Sequence, residues 1–186
     1  MKASGIVLAG GRGSRAGGVD KGLLPWQQST RVEAVLLDLQ PQVDDIIISA
    51  NRNLGRYRQL GFTVVEDQLP DYQGPLAGIA ACLPQCRQPL VIVVPCDSPR
   101  LPRDLVRRLL APLEDEGVDL SFASDGARGQ YLFTAIRKQC RPSLLECLAA
   151  GERSVRDWHR RLRCKVVDFS DRAAYFKNLN DASPRK

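Results

Sequence analysis

The stretch Leu8-Ala9-Gly10-Gly11-Arg12-Gly13-Ser14-Arg15-Ala16-Gly17-Gly18-Val19-Asp20-Lys21 constrains this chain more than any other. It follows directly on Ile6-Val7-Leu8, an apolar run that reads as a buried strand. Five glycines between Gly10 and Gly18 open backbone conformations closed to other residues and let main-chain N–H groups approach a ligand closely. Arg12, Arg15 and Lys21 add three cations against one neighbouring acid, Asp20, so the expected guest carries several negative charges. A nucleoside triphosphate has that character. A P-loop is excluded, because Lys21 stands between Asp20 and Gly22 instead of between glycine and Ser or Thr. Gly11 to Ala16 satisfies the dinucleotide pattern G-x-G-x-x-G/A, but that fold also wants an acid closing the second strand. Here Ile46-Ile47-Ile48-Ser49-Ala50 runs into Asn51-Arg52. A solvated glycine-rich turn is the bland alternative, and the loop's place straight after the first strand of an α/β pattern argues against it.

That pattern continues along the chain. Thr30 to Gln40 reads as a helix capped by Ser29 or Thr30, with Val32, Val35, Leu36 and Leu39 on one face and Pro41 as its stop. Asp45 to Ala50 reads as a strand, 55–60 as a short helix, and Phe62 to Glu66 as a third strand. Gly74-Pro75 turns into a helix reaching about Leu83, whose first N–H groups could meet a ligand. Leu90 to Val94 is the most apolar strand and is expected at the centre, followed by Pro95-Cys96-Asp97-Ser98-Pro99. Pro102 to Leu113 is helical, and Val118 to Ala123 and Tyr131 to Ile136 are strands whose short connection favours an antiparallel pair. Helices over Pro142 to Ala150 and Ser154 to Leu162, a strand over Cys164 to Phe169 and a closing segment through Asp181 complete the reading. The expected fold is α/β: three layers around a mostly parallel central sheet, in one domain of 186 residues.

Composition narrows the chemistry. With 44% hydrophobic and 26% charged residues the chain is an ordinary globular one. It shows neither a signal-peptide apolar region nor a run of transmembrane length, so the cytoplasm is the expected compartment and no membrane partner is expected. Cys82, Cys86, Cys96, Cys140, Cys147 and Cys164 form no C-x-x-C pair and have no neighbouring histidine, which favours buried reduced thiols over a zinc site. The one histidine, His159, lies among Arg156, Asp157, Arg160 and Arg161 and is expected on a solvated face, leaving a Ser-His-Asp or Cys-His mechanism little to stand on. The net charge of +6 gathers in Arg153, Arg156, Arg160, Arg161, Arg163 and Lys165. That segment reads equally as a solvated face or as a docking patch for an anion. Scarce aromatics and the lack of a binding motif argue against nucleic acid.

In open α/β sheets ligands bind beyond the carboxyl ends of the strands. That edge would collect the glycine loop, Ser49 and Asn51, Asp67, and Asp97. An acid directly after so apolar a strand as Leu90 to Val94 is suited to a divalent ion, although Asp-Ser-Pro is also ordinary turn chemistry.

Taken together, Leu8-Ala9-Gly10-Gly11-x-x-x-Arg15-x-Gly17-Gly18-x-Asp20-Lys21-Gly22, Gly74-Pro75-Leu76-Ala77-Gly78 and Pro95-Cys96-Asp97-Ser98-Pro99 resemble the molybdenum cofactor guanylyltransferases. Ala150-Gly151-Glu152-Arg153-Ser154-Val155 and Phe176-x-Asn178-x-Asn180 are similar to that family too, so the resemblance spans essentially the whole chain. It implies a Rossmann-like nucleotidyltransferase fold. It also implies transfer of GMP from GTP to molybdopterin carrying molybdenum, with magnesium as cofactor and pyrophosphate as second product. Carried over, Leu8, Ala9, Gly10 and Gly11 contact GTP, Lys21 binds its phosphates, and Asp67 holds the nucleoside. Asp97 binds magnesium and GTP, and Leu8 to Gly11 with Pro75, Leu76, Ala77 and Gly78 bear on guanine choice. Arg15, Lys21 and Asp97 are the implied catalytic set, and Arg153, Asn178 and Asn180 serve the pterin in the C-terminal part. Molybdoenzymes or their chaperones and upstream cofactor-synthesis proteins are the further partners implied.

Three positions depart from the family pattern. Ala16 replaces a methionine, Ser49 replaces an asparagine, leaving either Ser49 or Asn51 to contact the nucleotide, and Gln130-Tyr131 replaces His-Pro. A CTP-using sister enzyme, a sugar-phosphate nucleotidyltransferase and a nucleotide-binding adaptor without turnover are the rival readings.

Overall fold

The computed structural model describes residues 1–10, 19–67 and 74–177. Five strands and their connecting helices make its first half. These are β1 (Ser4–Leu8), a two-residue pair β2 (Pro25–Trp26) and β3 (Ser29–Thr30), α1 (Arg31–Leu39), β4 (Asp45–Ser49), α2 (Leu54–Arg58) and β5 (Thr63–Val65). Then follow α3 (Pro75–Cys82), β6 (Leu90–Pro95), α4 (Leu105–Leu110), β7 (Leu120–Ser124), β8 (Gly129–Arg137), α5 (Arg141–Ala149), α6 (Val155–His159) and β9 (Cys164–Asp168). A seven-stranded sheet runs in the order β5-β4-β1-β6-β8-β7-β9, with β6 at its centre as its composition predicts. β8 is antiparallel to β6 and β7, and the other pairings are parallel.

The central strands are apolar throughout because both faces are covered. Val7, Ile48, Ile92 and Val94 pack with Val32, Leu36, Leu39, Leu105 and Leu109 from α1 and α4. Their neighbours Ile6, Ile47, Val91 and Val93 pack on the other face with Leu76, Ile79, Leu144, Leu148 and Trp158 from α3, α5 and α6. Successive residues thus serve opposite faces, giving the three layers expected. No described helix is long and apolar enough to cross a membrane.

Thr30, one of two expected caps, is the one used. It accepts from Glu33 N at 3.4 Å while its own N–H donates to the Glu33 carboxylate at 2.7 Å, a capping box that holds the Glu33 carboxyl below its usual range. The expected helix over Pro102 to Leu113 is shorter, because Pro112 cannot donate to the α ladder and the chain tightens into a 3-10 turn over Ala111–Glu114. The β2–β3 hairpin was invisible in the sequence pattern; Gln27 turns it at φ 51°.

His159 corrects the sequence reading. It is 1% exposed, not solvated, with its ring 5.4 Å from Phe122, 5.7 Å from Tyr131 and 5.5 Å from Trp158. The reason is helical phase: Val155, Trp158 and His159 share the stripe of α6 that meets the core, and the exposed Arg156 and Arg160 take the other side. The late arginines are largely on the surface, where Arg160 pairs with Asp157 at 3.0 Å and Arg163 with Asp119 at 2.7 Å. All six cysteines are free thiols, and all but Cys164 are buried.

Candidate active site

The chain runs outward from β1 to β4 and β5, then returns past β1 to place β6 on its other side. The crevice at the carboxyl ends of β1 and β6 is therefore the sheet's switch point, where α/β folds bind ligands. Leu8 ends β1, and its carbonyl accepts from Cys96 N at 3.1 Å, so the start of the glycine-rich segment and the Cys96-Asp97 turn are tied together. Ala9 N donates to Ser49 O at 2.8 Å and holds the same turn against β4. Asp97, half-buried, is carried by the end of a strand whose six residues are all buried. Gly11, Arg15, Asn178 and Asn180 lie outside the described residues.

Ser49 and Asn51 part company here. Ser49 is 2% exposed and faces α3: a Cβ added to Gly78 would stand 2.5 Å from its hydroxyl oxygen. Asn51 is half-buried beside Gly10, whose added Cβ would stand 3.4 Å from its amide nitrogen. Asn51 also pairs with Asp67, which donates its backbone N–H to the Asn51 side-chain oxygen at 3.0 Å and accepts from Asn51 Nδ2. This locks the ends of β4 and β5 into one wall of the crevice. Pro75 and Gly78 open α3 behind a Gly74 at φ 82°, and Leu76 and Ala77 are core residues, so the segment faces the crevice through its first-turn backbone.

Gly78 yields a direct test. Alanine forms helix better than glycine by up to about 1 kcal/mol, yet its methyl would collide with Ser49. Gly78→Ala is expected to lower unfolding free energy by about 1–3 kcal/mol in urea titrations. Adding Ser49→Ala removes the colliding oxygen and should restore most of the loss; an unrescued double variant would put the clash elsewhere.

Lys21 opens a 3-10 turn (Lys21–Leu23) capped by Asp20. Asp20 Oδ1 accepts from Gly22 N at 3.2 Å and from the Tyr57 hydroxyl at 2.6 Å, and Oδ2 accepts from Asn53 Nδ2 at 2.9 Å. The sequence reading missed Tyr57 and Asn53; their one signal was an Asn at the start of a very short helix and an aromatic near its end. Tyr57 is wholly buried, and burial followed by its bond to Asp20 pushes its hydroxyl pKa well above the ordinary value. The Cys96 thiol is pushed up to about 12 by burial, then by the fields of Asp97 and Asp20. It is an inert thiol beneath both acids.

Among the described residues no group of three or more His, Cys, Asp or Glu could hold an ion by itself. Magnesium does not need one, since it takes one or two carboxylates and fills its shell with phosphate oxygens and water. Asp97, just beyond the buried strand β6, is placed for that single-carboxylate role.

Among the residues expected to serve the pterin, Arg153 sits just beyond α5, whose chain direction brings its last turn to this same sheet edge. Its guanidinium donates to Leu148 O at 2.9 Å and Glu152 O at 2.8 Å. Gln130 and Tyr131 serve local structure: Gln130 donates to Asp125 at 2.6 Å, and Tyr131 stacks on Phe122 at 4.9 Å where the β7–β8 register shifts.

Residues 5–166 match the MobA-like NTP transferase domain family. Molybdenum cofactor guanylyltransferase of Shewanella sediminis is 42% identical over 175 residues, covering 94% of this chain and 89% of the relative. That of Bordetella pertussis is 45% identical over 176 residues, covering 92% and 89%. Among solved structures, molybdopterin-guanine dinucleotide biosynthesis protein A of Archaeoglobus fulgidus superposes with a TM-score of 0.77 at 19% identity, over 95% of this chain and 92% of that one. A Mycobacterium tuberculosis protein solved in complex with manganese superposes at 0.60 and 18% identity, over 90% and 89%. These two likenesses concern the fold, and the sequence identities concern the family: the chain belongs to the molybdenum cofactor guanylyltransferases, within the MobA-like NTP transferase domain family.

Proposed function

We propose that this chain transfers GMP from GTP to molybdopterin carrying molybdenum, forming the guanine dinucleotide cofactor and pyrophosphate. The observation that carries the reading is the tie between the Leu8–Gly10 turn and the Cys96-Asp97 turn across the switch point, in a chain more than 40% identical to guanylyltransferases. An oxygen of the acceptor's terminal phosphate attacks the α-phosphorus of GTP, and the bond from that phosphorus to the β-phosphate bridging oxygen breaks.

Nothing in this reaction requires a protein nucleophile, so the residues act by position and charge. Lys21 and Arg15 balance charge on the phosphates, and Leu8, Ala9, Gly10 and Gly11 contact the GTP. Asp97 holds magnesium, which when bound neutralises and orients phosphate oxygens. The Asn51–Asp67 wall meets the nucleoside, an assignment that favours Asn51 over the inward-facing Ser49. The first turn of α3, Pro75 to Gly78, takes part in guanine choice, and Arg153, Asn178 and Asn180 form the pterin side. One domain thus holds the nucleotide in its N-terminal part and the acceptor in its C-terminal part. The enzyme works in the cytoplasm, receives its acceptor from upstream cofactor-synthesis proteins and passes its product to molybdoenzymes or their chaperones.

Pyrophosphate release by the purified protein with magnesium tests this, comparing GTP with CTP, each with and without molybdopterin loaded with molybdate. Release that needs GTP and the pterin together is expected. Release from CTP would move the chain to the cytidylyltransferases, and GTP binding with no release under any condition would leave an adaptor.

A further inference from the structure

We propose that Tyr57 and Asn53 are positioning residues for Lys21, acting through Asp20; the inference rests on the reading of Lys21 as a phosphate-binding cation. The neighbouring residue Asp20 is the natural competitor for that cation. A carboxylate one residue from a lysine ammonium, at the rim of an anion site, can fold over and neutralise it, and a triphosphate would then have to displace it.

The structure turns Asp20 away from that role. Three donors converge on its two oxygens: the Tyr57 hydroxyl at 2.6 Å, Asn53 Nδ2 at 2.9 Å and Gly22 N at 3.2 Å. Tyr57 reaches it from the core, Asn53 from the exposed start of α2, and Gly22 from its own turn. Among the described residues Lys21 makes no ion pair.

The Tyr57 ring and the Asn53 backbone are themselves fixed. Tyr57 is completely buried in the layer formed with β4 and α1, so its hydroxyl has one place to reach. Asn53 caps α2 from the left-handed region, φ 50°, a conformation asparagine tolerates and most residues do not. Gly22 completes the fit, because a Cβ there would stand 2.5 Å from the Tyr57 oxygen. Lys21 is thereby held between two anchored neighbours, with its charge left for the ligand. Purely internal packing would need the Tyr57 ring but would not need three polar donors on one acid at a ligand-binding edge.

The test is a double-mutant cycle on GTP affinity, measured by titration calorimetry with magnesium, using Tyr57→Phe, Lys21→Gln and the combined variant. Tyr57→Phe keeps the ring and deletes the donor. It is expected to weaken GTP about tenfold in the parent protein and less than twofold in the Lys21→Gln background, since the freed Asp20 has no ammonium left to claim. An equal loss in both backgrounds, or no loss in the parent, overturns the proposal. Should Tyr57→Phe fail to fold, Asn53→Gly, which keeps the left-handed backbone and removes the amide, runs the same cycle. A Lys21→Gln protein that binds GTP like the parent would instead refute the phosphate role of Lys21, a separate result read from that variant alone.

Discussion

Asp97→Ala is expected to reduce GMP transfer by at least about a thousand-fold, the equivalent of about 4 kcal/mol of transition-state stabilisation, while the fold survives. The magnitude follows from the chemistry: with no covalent intermediate to form, charge neutralisation at the phosphates has to supply most of the barrier reduction. The site offers few substitutes, because Asp20 and Asp67 already carry internal donors on their oxygens. Stability should change by no more than about 1 kcal/mol, since Asp97 lies in a turn and the core of β6 ends before it. Asp97→Asn separates the two roles open to this residue. Asparagine can still make an Asp-Ser-Pro type turn bond but is a poor magnesium ligand, so it should be nearly as inactive as alanine. Parent-like turnover of Asp97→Asn in the pyrophosphate assay would reduce Asp97 to a turn residue.

Acid should weaken the fold through His159 by about 3 kcal/mol. Burial lowers its pKa from 6.5 to about 4, and among the described residues neither ring nitrogen finds a hydrogen-bond partner. Above pH 6.5 the ring is neutral in both folded and unfolded chains, and its contribution is fully present. Between pH 6.5 and 4 the unfolded chain takes up a proton that the folded chain refuses, so stability falls with falling pH across that window. Below about pH 4 the folded ring titrates as well and the loss levels off. His159→Leu removes the titration and the orphaned nitrogens at similar volume. Urea unfolding of parent and variant from pH 4 to 8 should give curves that diverge below pH 6.5, the parent falling faster. Parallel curves would mean that the ring is solvated in solution.

Much of this was legible in the residues, and the failures have common causes. The parallel strands were readable because burial on both faces makes Ile46-Ile47-Ile48 and Leu90 to Val94 continuously apolar. The shared carboxyl edge of the sheet was readable because topology alone sends Leu8, Asn51, Asp67 and Asp97 to it. His159 was misread because its arginine neighbours in sequence are not its neighbours in space; a five-residue helix shows too little of its period to reveal the stripe it shares with Val155 and Trp158. Tyr57 escaped because its partner is separated by 37 positions, and nothing in a buried aromatic's surroundings in sequence announces a hydroxyl bond to an acid. Ser49 could not be told from Asn51 without knowing that β4 ends at Ser49, which lies under α3, while Asn51, beyond the strand, sits beside Gly10.

The placement of β1 between β4 and β6 has a kinetic side. Translation delivers β1 first and β6 roughly eighty residues later, a wait on the order of ten seconds at usual elongation speeds. Throughout that wait β1 can zip to β4 but keeps a bare apolar edge toward the missing β6, the kind of edge that invites foreign strands. The nascent protein therefore cannot be rescued early by its nucleotide, because the pocket's two sides meet only when the fourth strand of the sheet slots in beside the first one made.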